Sequence, residues 1–255
     1  MTPALVVTFA AAGGLVAGSL LNVVADRLPR RESLLASLPR CLSCGRRVRL
    51  RDSVPVLSWL LLRGRSRDCG APIAARQAIV EVLTAALFAA VVLVLHGDVA
   101  ATVLGLILVA FLIPLALIDL DHRILPNRLT APAAVLAVMA GTVLDPGGQV
   151  ERLIAGAAAG GTFLAIALAY PAGIGLGDVK LVGLLGLFLG REVAVAVLAA
   201  LLLGIGVGAA IMARQGIAEG RKTAIPFGPF LAAGAVVALL VGPGLVQGYL
   251  DGFRG

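Results

Sequence analysis

The chain has 255 residues, is 60% hydrophobic and carries only 14% charged side chains. A water-soluble domain of that composition would expose too much apolar surface, so the composition excludes an ordinary soluble fold. The formal charge of +7 does not indicate nucleic acid, because the excess sits in one segment with few aromatic residues for base stacking.

Apolar blocks close to the length needed to cross about 30 Å of hydrocarbon fall at 4–24, 77–95, 100–118, 130–145, 153–172, 178–190, 192–212 and 225–248. The pattern predicts an all-α polytopic membrane protein of about eight transmembrane helices. A small cytoplasmic insert lies between the first and second. The sixth block is short, which leaves seven spans and a re-entrant segment as the alternative. No segment shows the short alternating runs of a β-barrel strand. Three parts are expected: a first helix over 1–24, an insert over 25–76 and a membrane core over 77–255.

The first block has no charge ahead of it and arginines behind it, the pattern of a signal anchor rather than a cleaved leader. Orientation follows from the cations. If 25–76, 119–129, 171–180 and 213–224 face inside, 18 of the 21 lysines and arginines are inside, leaving Arg152, Arg191 and Arg254 outside. The amino terminus is then outside. The basic insert suits an anionic lipid surface, so membrane lipid is an expected partner.

At about fifty residues the insert is too small to bury much core, and such modules usually rely on a metal or disulfide staple. It holds all three cysteines, Cys41, Cys44 and Cys69. A reducing cytoplasm disfavours disulfides, and two-residue spacing suits a tetrahedral zinc ion, so these thiols are candidate ligands. Ser66 stands where a second Cys-x-x-Cys would have its first thiol. Asp68 or water is then the available fourth ligand, and free thiols are the competing reading.

Ionisable side chains are costly at the edge of a membrane span and therefore mark candidate sites. Asp119 closes the third span and Asp178 opens the sixth, both on the predicted cytoplasmic side. Two carboxylates brought together share a proton, so one can take a proton from water while the other gives one to a peptide carbonyl. That is aspartyl protease chemistry. Gly175 and Gly177 would let a substrate backbone approach, and Pro114 is placed to open the end of its helix. Asp121, two residues from Asp119, would point elsewhere on a helix, and with His122 and Arg123 it reads as a solvated end. A structural ion pair of Asp178 with Lys180 or Arg123, or a cation site in a coupled transporter, stays open on spacing alone. Gly183–Gly186 and Gly156–Gly160 read as helix-packing runs.

In order along the chain, Gly18–Pro29, the cysteine module, Cys69–Ile73, Arg76–Thr84, Asp119 through Asn127, Gly175–Lys180 and Ile225–Pro229 resemble the motifs of the type IV prepilin leader peptidases. The resemblance covers nearly the whole chain. It implies a Gly-x-Gly-Asp membrane aspartyl protease of pilus and type II secretion systems, with Asp119 and Asp178 catalytic and Gly175, Gly177 and Lys180 supporting. The implied substrate is a prepilin or pseudopilin, cut after the glycine that ends its short positive leader. The implied second activity is N-methylation of the new amino terminus with S-adenosylmethionine, associated with the first loop. No nucleotide-binding fingerprint accompanies it.

Overall fold

The structure is a computed structural model that describes residues 3–33, 56–65, 67–72, 74–171, 174–216 and 225–252. The described residues are helical apart from short turns and a single bridge between Arg65 and Pro72. The helices are α1 (Pro3–Arg27), α2 (Leu57–Leu61), α3 (Ala75–Leu95), α4 (Val99–His122) and α5 (Asn127–Leu144), then α6 (Pro146–Ala169), α7 (Leu176–Leu189), α8 (Val193–Gln215) and α9 (Gly228–Gly252). Large apolar side chains such as Phe9, Val99, Val143 and Leu168 stand exposed along them. In hydrocarbon those are the faces that meet lipid, and a helix satisfies its own backbone polar groups there.

The chain divides into two compact units, Met1–His96 and Gly97–Gly255. In the first, α1 and α3 run antiparallel along a seam of small residues. A β-carbon on Gly14 would stand 2.6 Å from Ala85 Cα, and one on Gly18 would stand 2.8 Å from Glu81 Cα. Only glycine allows so close a crossing. Asn22 Nδ2 donates to the Gln77 carbonyl at 3.1 Å farther along the same seam. Glu81 is buried, and its Oε2 accepts the Val56 N–H at 2.7 Å, tying the start of α2 to α3.

In the second unit, the apolar block 153–172 misses the first turns of α6, which starts at Pro146. Asp145 accepts the Gly148 N–H and Pro146 occupies the first turn, so α6 begins at a capped polar turn several residues before its apolar block. Asp98 caps α4 in the same way through the Ala101 N–H. The glycine runs of α6 and α7 pack against each other: a β-carbon on Gly186 would stand 2.6 Å from Gly156 Cα, and one on Gly160 3.2 Å from Gly183 Cα.

Among the described residues, seven stretches are long and apolar enough to cross a membrane, and the sixth, Leu176–Gln215, is 40 residues long. It folds back on itself at a 3-10 turn, Gly190–Glu192, where Gly190 takes φ 61°, a conformation that suits glycine. After the turn, α8 runs antiparallel to α9, with Gly242 facing Glu192, Gly234 facing Ala196 and Ala200, and Gly204 facing Phe227 and Phe230. Against about eight expected crossings, seven candidate spans are found among the described residues, because the expected sixth and seventh blocks fall within one stretch whose first part, α7, is only 14 residues long.

Candidate active site

Four helix ends of the second unit converge: the last turn of α4 and the first turns of α5, α7 and α9. Asp119 lies in the last turn of α4 and is only 6% exposed, whereas Asp121 is exposed, as the different helical direction of the two residues requires. Pro114, inside α4, has no N–H to give the preceding turn. Arg123 ends the helix in the left-handed region (φ 55°), with its N–H on the Asp119 carbonyl at 2.9 Å. The chain can then turn sharply through Ile124–Pro126 into α5.

Asp178 sits in the first turn of α7, half-buried, with its own N–H on the Gly175 carbonyl at 3.0 Å. It lies close enough to Asp119 to feel that carboxylate's charge. The two predicted aspartates, far apart in sequence, are thus brought together. The two glycines ahead of Asp178 differ in their surroundings. A β-carbon on Gly177 would press on the Leu125 side chain at 3.3 Å, so Gly177 serves close packing of the α4–α5 turn on α7. Among the described residues, a β-carbon on Gly175 would meet only the Asp178 carboxylate and the Gly177 nitrogen, at 3.5 and 3.9 Å. Lys180 pairs with neither aspartate. Its Nζ donates to Asn127 Oδ1 at 3.0 Å and links the starts of α7 and α5. Among the described residues no ion pair reaches Asp119 or Asp178.

One contact escaped the sequence reading. The Gly228 N–H, at the first position of α9, donates to Asp119 Oδ2 at 2.9 Å in a buried setting. The Ile225–Pro229 stretch stood out by resemblance alone, and no spacing rule connects residues 109 apart.

Of the candidate metal ligands, Cys41 and Cys44, with Ser66, lie outside the described residues. Cys69 is exposed in the turn inside the Arg65–Pro72 bridge. Among the described residues no three His, Cys, Asp or Glu side chains gather as a metal site would need.

Residues 13–95 match the bacterial peptidase A24 N-terminal domain and residues 106–209 the type IV leader peptidase family. A prepilin leader peptidase/N-methyltransferase of Myxococcus xanthus (strain DK1622) is 39% identical over 72% of this chain and 56% of its own length. A type 4 prepilin-like proteins leader peptide-processing enzyme of Escherichia coli O78:H11 (strain H10407 / ETEC) is 35% identical over 74% of this chain and 78% of its own. The chain belongs to the type IV leader peptidase family. A Dichelobacter nodosus relative of that family, also named a prepilin leader peptidase/N-methyltransferase, is 32% identical over 72% of this chain and 75% of its own length. No solved structure matches the chain. Within the type IV leader peptidase match, both aspartates and the packed glycine runs of α6 and α7 fall inside the aligned span.

Proposed function

We propose that this chain is a membrane aspartyl endopeptidase that removes the leader of type IV prepilins or pseudopilins, with Asp119 and Asp178 as its catalytic pair. The observation that carries the reading is the convergence of a buried carboxylate, Asp119, and a half-buried one, Asp178, at one end of the second unit in a member of this family. The names of the relatives supply the substrate class.

The chemistry needs only this chain's residues and water. A water between the carboxylates gives a proton to one of them as its oxygen bonds the scissile carbonyl carbon. The other carboxyl group gives its proton to the carbonyl oxygen. Collapse of the resulting gem-diol breaks the C–N bond as one of its hydroxyls returns a proton to the second carboxylate, and the first carboxyl group gives its proton to the departing amine. A substrate backbone would pass beside Gly175, where no side chain of its own stands in the way.

The cation pattern supports a bacterial inner-membrane protein with its amino terminus outside and the aspartate end of the bundle facing the cytoplasm. The 25–76 segment is then a cytoplasmic insert, and 77–255 carries the protease. N-methylation of the new amino terminus belongs to this proposal through the relatives' names. S-adenosylmethionine would supply the methyl group. If the insert holds zinc, Cys41, Cys44 and Cys69 are its ligands; one zinc per purified chain, lost in Cys41→Ser, is the expected metal analysis.

The test is mass spectrometry of a prepilin incubated with the purified enzyme in lipid. The expected product begins immediately after the leader glycine, and with S-adenosylmethionine it gains one methyl group. A folded enzyme that leaves prepilins intact would overturn the assignment.

A further inference from the structure

We infer that Gly228 is a positioning residue for catalysis, and that the Ile225–Pro229 segment is a third element of the active site. Its N–H holds Asp119 Oδ2 and leaves Oδ1 to act on water.

The argument starts from the first turn of α9. A helix leaves its first four N–H groups without intrahelical acceptors. In α9, Pro229 has no N–H, and the Phe230 and Leu231 N–H groups both reach the Phe227 carbonyl, at 3.0 and 3.1 Å. The Gly228 N–H remains, and Phe227 has no side-chain oxygen with which to cap it. Asp119 takes it, from another helix 109 residues away. The carboxylate is thereby fixed against rotation by a rigid backbone donor at the positive end of a 25-residue helix.

The position also demands glycine. A β-carbon at 228 would stand 2.5 Å from Asp119 Oδ2, 3.0 Å from its Cγ and 3.2 Å from its Cβ. Every other residue type must push the carboxylate away from where the N–H places it. The two prolines flanking Phe227–Gly228 limit how far this turn can yield.

The inference rests on the proposed dyad, so the experiment has one arm independent of proteolysis. Gly228→Ala keeps the N–H but displaces the carboxylate. Because a misplacement near 1 Å costs about 10²-fold, its kcat on a prepilin should fall roughly 10- to 100-fold. KM should stay within about twofold, and the pH–rate profile should move. Gly244→Ala, on the same helix with nothing within 4 Å of the added carbon, should match the wild type. In the second arm, thermal unfolding is measured for Gly228→Ala in the native chain and in Asp119→Ala. The melting temperature should drop in the first and hold in the second, where no carboxylate stands in the way.

A wild-type kcat and pH profile in Gly228→Ala overturns the inference. So does an equal drop in melting temperature in both backgrounds. If Gly228→Ala alone does not fold, restored folding in the double variant supports the coupling and its absence refutes it. Retained proteolysis in Asp119→Ala would instead sink the dyad, while the melting arm still reads the contact.

Discussion

Replacing Asp119 in three ways separates its chemistry from its structural duty. Asp119→Asn removes the ionisable group, yet its amide oxygen can still accept the Gly228 N–H now bonded at 2.9 Å. Asp119→Ala removes both. The side chain is 6% exposed, so in the alanine variant the Gly228 N–H is left buried without a partner. A buried donor stripped of its acceptor costs about 1–3 kcal/mol. Both variants should lose at least ~10³-fold in kcat, since a catalytic pair acts as a unit. Only the alanine variant should also lose about 1–3 kcal/mol of stability. Asp121→Asn, altering an exposed neighbour, should keep both activity and stability. The assay is single-turnover cleavage of a prepilin in lipid, paired with thermal unfolding of the same preparations. Cleavage by Asp119→Asn within tenfold of wild type, or loss of cleavage in Asp121→Asn, would refute the assignment of Asp119.

Three further outcomes are expected. Gly14→Val should destabilise the α1–α3 pair by about 1–3 kcal/mol through overpacking, because the added β-carbon meets Ala85 backbone at 2.6 Å, while Gly13→Ala meets nothing within 4 Å; unfolding curves of both variants check this. Glu81→Ala should make the 56–65 segment more open to limited proteolysis than Glu81→Gln does, since only the glutamine can still accept the Val56 N–H. At the other end of the second unit, the Gly148 N–H and the Arg152 guanidinium hold the Asp145 carboxyl below the usual carboxylate range. A lowered folded-state value gives stability that is present above the unfolded value near 3.9 and lost as pH falls through the folded one. The stability gap between wild type and Asp145→Asn should therefore be constant at neutral pH and close below about pH 4; a gap that persists in acid would contradict this account.

The spans and the two aspartates were legible because a bilayer imposes rules that a sequence states directly: block length, and the cost of charge within a block. The close crossing of α6 and α7 was legible in the spacing of Gly156, Gly160, Gly183 and Gly186. The start of α6 was not, because its first turn is polar and its signal is the Asp145–Pro146 cap rather than hydropathy. The turn at Gly190–Glu192 was visible only as a short sixth block. An ion pair of Lys180 with Asp178 stayed open on spacing, but the fold offers Lys180 the Asn127 amide, since the start of α5 lies beside the start of α7. Gly228 stayed hidden because its meaning resides in a contact between two helix ends, and local pattern carries no information about which ends meet.

The brevity of α7 has a consequence for the bilayer itself. At about 1.5 Å per residue, the 14 residues of Leu176–Leu189 rise only about 21 Å, against hydrocarbon about 30 Å thick. If Arg191, which pairs with Glu151 and Glu192, marks one interface, Asp178 stands several ångströms short of the other. Either the lipid around α7 thins to meet it, or water descends to the carboxylates in a local depression. The scissile bond of a substrate would then be cut beneath the average membrane surface, and bilayers of shorter acyl chains should favour its access.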